Sequence, residues 1–243
     1  MSKNQKKVEV WIVEDEIDLS EMLALSLRNN GCEVIEFSNS EKFLEVFELR
    51  KPPNVVITDI RFPFGPNGRD LLKAIKSKDV FSPSVIIVTA YEDYPIETLY
   101  NEGAESIFIK PFDLQEIGFT VNRLALPLRE RITTEPTEFF QHFSSSKIVN
   151  NCDVGDYMFG RGGMCIKTNQ RLFMNEIVNF TISIRELDNI NVEVIGIVRW
   201  ENIYSQIPEY GIEIIKLTPP DPYLELVEKT HPLAYIPNIT INS

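Results

Sequence analysis

The sequence predicts an α/β domain on a five-stranded, doubly wound parallel sheet, followed by an all-β domain shaped as a small antiparallel barrel with a C-terminal helix. Three observations predict it. Short apolar runs alternate with helix-period segments over the first half; prolines, scattered charges and serines then break the pattern after Leu126; beyond them, strand-like runs dominate. A chain of 243 residues accommodates two domains of about 100–150 residues each. The boundaries read as 1–127, a linker over 128–146, and 147–243.

The first strand is VEVWIV, and the helix after it repeats apolar residues at Leu19, Met22, Leu23, Ala24 and Leu27 before Asn30-Gly31 stops it, with glycine as the expected C-terminal cap. EVIEF is the second strand, and Ser38 with Glu41 has capping-box spacing ahead of a helix carrying Phe43, Leu44 and Phe47. NVVITD, GRDLLKAIK, SVIIVTA, PIETLYNEG and ESIFIK continue the alternation of strand and helix. Asp113 with Glu116 caps a last helix running to about Leu126. Strands separated by helices imply parallel pairing with both faces covered, because right-handed crossovers place helices on each side.

The segment PLRERITTEPTEFFQHFSSSK reads as the linker, with a short helix near Glu138 to Phe143. MCIKT, EIVNFTISI, VEVIGIVRW and YGIEIIKL then read as strands, and Asp221 to Thr230 as a closing helix.

Composition narrows the function classes. Apolar residues make up 43% and charged residues 25%, which suits a globular chain, and no apolar run approaches the roughly 18 residues of a membrane span. The amino-terminal stretch has three lysines but only a short apolar run that ends in acids, so a signal peptide is not expected and the cytoplasm is. Cys32, Cys152 and Cys165 share no C-x-x-C spacing and only two histidines exist, so free thiols are expected rather than a zinc site. The net charge of −12 divides into −7 over residues 1–127 and −5 over 128–243. Neither half carries the positive charge that drives binding to a phosphate backbone, so no DNA partner is expected.

In an open parallel sheet, ligands bind where strands end at their carboxyl termini. Here the first strand ends in Glu14-Asp15, the third in Asp59, the fourth in Thr89-Ala90 and the fifth in Lys110-Pro111. Several carboxylates brought together repel one another unless a cation joins them, and hard oxygen donors of this kind suit magnesium. A metal, a lysine and a hydroxyl around one carboxylate make a constellation for phosphoryl transfer.

These residues, in this order and at these strand ends, resemble the receiver domain of two-component response regulators, over residues 7–127. The resemblance implies a flavodoxin-like fold with Asp59 as phosphoacceptor. It implies Asp15, Asp59 and the Arg61 backbone carbonyl as ligands of Mg2+ (or Mn2+), with Glu14 acting through water. Thr89 and Lys110 would contact the phosphoryl group, and Lys110-Pro111 matches a peptide that is cis in the family. A sensor histidine kinase or phosphotransfer protein would be the donor. The receiver catalyses its own phosphorylation and hydrolysis, and no separate enzymatic output is expected.

The loop IRFPFGPNG departs from the family pattern, with Phe62 replacing a common methionine and the glycine arriving one residue late, at Gly68. Arg61 and Tyr91 occupy positions that govern water access, so their bulk implies slow hydrolysis. The usual switch aromatic is replaced by Ile107, beside Phe108.

The second half resembles PilZ domains over about residues 145–230, through Gly162-Gly163, the strand after Asn175-Glu176, the VRW ending at Trp200, and Tyr210-Gly211-Ile212. PilZ domains bind cyclic di-GMP through an RxxxR motif and a DxSxxG motif, using guanidinium groups that pair with phosphate and stack on the base. Counting back from Gly163, Met158 and Gly160 fill the Asp and Ser positions; counting from Gly162, Tyr157 and Phe159 do. Arg129 and Arg131 stand two apart rather than four. With Arg161 they are the candidate nucleotide-binding residues, and the motif mismatch favours a protein-interaction output over cyclic di-GMP. The expected function is therefore a response regulator, phosphorylated on Asp59, that contacts a downstream protein or a second copy of itself through the receiver. The alternatives are a direct cyclic di-GMP effector and a docking scaffold that is never phosphorylated.

Overall fold

The structure, a computed structural model, describes residues 7–90, 94–133, 148–150, 154–185 and 189–238. The strands β1 (Glu9–Val13), β2 (Glu33–Phe37), β3 (Val55–Asp59), β4 (Ser84–Thr89) and β5 (Ser106–Ile109) form one sheet in the order β2-β1-β3-β4-β5. Every pairing in it is parallel. Strands β3 and β4 are buried along their whole length, as their continuous apolar sequence requires when helices cover both faces. The order reverses between β1 and β3, so the crevice at their carboxyl ends is the switch point where such sheets bind ligands.

Side-chain alternation along β1 separates two cores. Val10 and Ile12 join Val55, Ile57, Ile86 and Val88 beneath α1 (Ile17–Asn29) and α5 (Leu114–Leu124), which contribute Leu23, Ala24, Leu27, Ile117, Val121 and Leu124. Trp11 instead meets Phe37, Phe43 and Phe47, the latter two from α2 (Ser40–Leu49). Helix α1 ends before Gly31, whose φ of +85° only glycine adopts without strain. Two details differ from expectation. Met22 is exposed rather than core, because it lies one step off the buried stripe of α1. The cap of α2 is Asn39, whose side chain accepts from the Lys42 amide, and not Ser38.

Helix α3 (Gly68–Lys78) opens with a capping box between Asn67 and Asp70. Near its other end Lys76 is buried, with Nζ 2.8 Å from Glu105 Oε1 and 2.7 Å from the Pro83 carbonyl. Glu105 Oε2 accepts in turn from the Val85 amide at 2.7 Å. Two buried charges that satisfy each other and the backbone tie α3, the start of β4 and the approach to β5 together.

The chain divides into two compact units, Met1–Asp93 with Gly103–Ala125, and Tyr94–Glu102 with Leu126–Ser243. Helix α4 (Ile96–Asn101), which the sequence places inside the α/β domain, is thus grouped with the second unit.

That unit is built on β6 (Ile148–Asn150), β7 (Tyr157–Phe159), β8 (Gly163–Lys167), β9 (Ile177–Ile184), β10 (Ile190–Asn202) and β11 (Glu209–Thr218). They form one half-barrel sheet in the order β6-β9-β10-β11-β8-β7, antiparallel except where β6 joins β9. Strand β9 alternates buried and exposed residues, while Trp200, Tyr210, Ile212 and Ile214 bury the centre. Helix α7 (Asp221–Thr230) contributes Tyr223, Leu224 and Val227.

The first residues of the expected linker are folded. Helix α6 (Leu128–Arg131) leads into Ile132, whose carbonyl accepts from the Leu217 amide, and Thr133 bridges to Lys216. Strand β8 pairs with β11 only as far as Glu213, so the rest of that edge is open to these residues. The helix expected near Glu138 to Phe143 lies outside the described residues.

Candidate functional site

The expected carboxylates stand at the strand ends, and a lysine joins two of them. Glu14 follows β1 and is 3% exposed; Asp59 closes β3 and is 9% exposed. The Lys110 ammonium, just past β5, lies 2.6 Å from Asp59 Oδ2, 3.0 Å from Glu14 Oε2 and 3.8 Å from the exposed Glu16. Its own amide donates to the Thr89 carbonyl at 2.8 Å, which locks the ends of β4 and β5 together. The Lys110-Pro111 peptide is cis, as the family resemblance implies.

The Asp59 carboxylate is held at both ends. Its Oδ1 accepts from the amides of Ile60 and Arg61, so Oδ2 is the oxygen turned to Lys110. Burial pushes the Glu14 carboxyl above the usual glutamate range, and its hydrogen bond and charge contact with Lys110 oppose that rise only in part. For Lys110, burial works against the ammonium, but its bonds to Asp59 and Glu14 outweigh burial and lift it above an ordinary lysine.

Thr89 is buried at the end of β4, and Asp15 is exposed at the rim. Among the described residues, no three His, Cys, Asp or Glu side chains form a group arranged to hold a metal ion. The pair that is gathered, Glu14 and Asp59, already shares a cation in Lys110. Its hard oxygens suit Mg2+ by donor chemistry. Glu16 was not singled out from sequence, although its place in the run Glu14-Asp15-Glu16 was the available signal.

The late glycine has a steric cause. A Cβ on Gly68 would stand 1.9 Å from the Asp59 carbonyl oxygen, and the Gly68 amide donates to the Ile60 carbonyl at 2.9 Å. The first residue of α3 therefore packs directly against the Asp59 backbone. Phe64, in the same loop, is 83% exposed. At the switch-aromatic position Ile107 is half-buried, and Phe108 packs into the core. Tyr91 lies outside the described residues.

The family described as response regulator receiver domain matches residues 10–122. Residues 10–122 are a receiver domain. Among curated proteins, this chain is similar to the DNA-binding transcriptional regulator NtrC of Escherichia coli (strain K12), 36% identical over 47% of this chain and 24% of that protein. It is also similar to the transcriptional regulatory protein CrdR of Helicobacter pylori, 32% identical over 49% of this chain and 54% of that protein. The chain thus spans about a quarter of NtrC and about half of CrdR.

Among solved structures, a receiver domain protein from Clostridium thermocellum is 28% identical, covers 49% of this chain and 94% of its own, and has a TM-score of 0.45. TrrA from Thermotoga maritima, in complex with Mg(2+)-BeF, is 27% identical over 48% of this chain and 98% of its own, with a TM-score of 0.44.

In the second unit, the three candidate arginines engage three different partners. Arg129 pairs with Asp221 at 2.7 Å, and Arg131 Nε donates to the Leu126 carbonyl at 2.7 Å. Arg161 is 3% exposed and its guanidinium lies over the Tyr235 ring, 5.4 Å from the centroid. The glycine turn beside it is covered by the chain's own C-terminal segment. The amides of Arg161 and Gly162 donate to the carbonyls of Ala234 and Tyr235, and a Cβ on Gly162 would meet the Tyr235 ring at 1.9 Å. Tyr157, Met158 and Phe159 form β7 and, with Leu226, Val227 and Pro232, line a cavity of about 360 Å³.

Proposed function

We propose that the protein is a response regulator whose receiver accepts a phosphoryl group on Asp59 from a histidine kinase or phosphotransfer protein and signals through its second, PilZ-like unit by protein contact. The observation that carries this is the Lys110 ammonium set between Asp59 and Glu14 at the switch point of the sheet. In the transfer, Asp59 Oδ2 attacks phosphorus, the bond from phosphorus to the donor's leaving atom breaks, and the electron pair stays with the donor. The amides of Ile60 and Arg61 keep the carboxylate from turning away, so part of the orientation is fixed before reaction. Lys110 offsets charge on the phosphoryl oxygens, and Thr89 supplies a hydroxyl from the neighbouring strand. Glu14, Asp15, Asp59 and the Arg61 carbonyl are the groups that would hold Mg2+, which supplies charge neutralisation to the transferred group.

A protein-contact output is supported by the covered glycine turn, by the separate partners of Arg129, Arg131 and Arg161, and by acidic charge in both halves. Incubation of the full chain with Mg2+ and acetyl phosphate tests the first step. Intact mass should rise by one phosphoryl group in the wild type and stay unchanged in Asp59→Asn. Equal incorporation in both would overturn the assignment.

A further inference from the structure

Two loops of the second unit lie side by side: residues 203–208, which turn β10 into β11, and residues 168–176, which join β8 to β9. The Thr168 amide donates to the Pro208 carbonyl at 3.1 Å, Arg171 pairs with Glu201 at 3.2 Å, and the Asn175 amide donates to the Val198 carbonyl at 2.8 Å. These links are spread along the 168–176 loop, so the loop follows the β10–β11 hairpin from end to end. Leu172 is fully buried, but its neighbours Phe173, 59% exposed, and Met174 are not. On the hairpin Tyr204 is 95% exposed, and Ile203 and Ile207 are exposed with it. Single apolar residues are ordinary on a surface, whereas five large ones at one end of a unit mark a contact.

Charge narrows the occupant. A quarter of the chain's residues are charged and its net charge is −12, yet residues 203–208, IYSQIP, carry no charge. The 168–176 loop carries two, and both are satisfied within the chain. Arg171 pairs with Glu201 and lies over the Phe173 ring, 5.4 Å from its centroid; the Glu176 carboxylate accepts from the Phe173 amide at 3.0 Å. At the edge, Lys167 pairs with the buried Glu209 at 3.3 Å. A twofold interface sets a patch against its own copy, so an unmatched charge on it would meet its like. A patch without one meets that requirement, and it is where two chains of −12 approach with least repulsion. An unlike partner or an anionic lipid surface is drawn by free charge, and neither loop offers a cation that is not already paired. Two such patches face to face bury on the order of 1,000 Å², the size at which specific, weak interfaces begin.

We propose that the loops 168–176 and 203–208 form an isologous contact through which two copies of this chain pair, anchored by Tyr204 and Phe173. The surface lies wholly in the second unit, so the pairing does not depend on Asp59 accepting a phosphoryl group.

Sedimentation velocity of the full chain tests it, without Mg2+ or phosphoryl donor, from low micromolar to several hundred micromolar protein. The wild type should pass from monomer to dimer over that range. Tyr204→Ser and Phe173→Ser should each raise the dimer dissociation constant about tenfold or more, the loss expected of an anchoring aromatic. Both side chains are exposed, so the variants keep the fold, which circular dichroism checks. Leu49→Ser, which removes an exposed leucine from α2 of the receiver, should dimerise like the wild type. A wild type that stays monomeric throughout, or wild-type dimerisation in Tyr204→Ser or Phe173→Ser, overturns the proposal. Equal weakening by Leu49→Ser would move the contact to the receiver and overturn it as well. So would flotation of monomeric wild type with phosphatidylcholine vesicles, lost in Tyr204→Ser, which would turn this end toward lipid.

Discussion

Lys110 does the most at the level of single residues, because it neutralises two carboxylates that would otherwise repel across the switch point. Lys110→Ala leaves Asp59 and the buried Glu14 facing one another, so the rate of phosphorylation by acetyl phosphate should fall by about 10²-fold, the usual loss when one charge-stabilising donor is removed. Stopped-flow or timed mass measurements read this directly. Gly68 is a second sensitive point. Gly68→Ala places a methyl against the Asp59 carbonyl at 1.9 Å, and overpacking of that kind costs about 1–3 kcal/mol, seen as a lower urea midpoint. The strand-end residues were legible in the sequence because each follows an apolar run that must be a buried strand. The Lys110 bridge to Glu14 was not, because 96 residues separate the partners and nothing local records their meeting.

Among the elements, the five parallel strands and four of their helices announced themselves by period and by caps. Asn67 and Asp70 cap α3 reciprocally, and Asn67→Ala should cost about 1 kcal/mol of stability in thermal or urea unfolding. The Lys76–Glu105 pair is the larger hidden contribution. Glu105→Gln would leave a buried ammonium short of its counter-charge and should cost about 3–5 kcal/mol by the same measurement. A change under 1 kcal/mol would show that the pair is incidental. Strands β6 and β7 escaped sequence reading because three residues are too few to display a period of two. The start of the linker escaped it because Ile132 and Thr133 pair with an edge that β8 leaves open far away in sequence.

The whole molecule follows from how its two units divide the chain. Sequence order put α4 inside the α/β domain, and tertiary packing groups it with the second unit through Tyr100 and Asn101, a distinction that adjacency in sequence cannot carry. The chain's own C-terminal segment covers the glycine turn at which the resemblance would seat a dinucleotide. Calorimetry of the full chain with cyclic di-GMP should therefore show no binding heat, and micromolar binding would return the second unit to a nucleotide-sensing role.

Whether Asp59 is the phosphoacceptor is decided by locating the phosphoryl group in the chain. After reaction with acetyl phosphate and Mg2+, borohydride reduction converts an aspartyl phosphate to homoserine, which peptide mass spectrometry places in the sequence. Homoserine should appear at position 59 alone. Homoserine at position 15, or at no position, would contradict it.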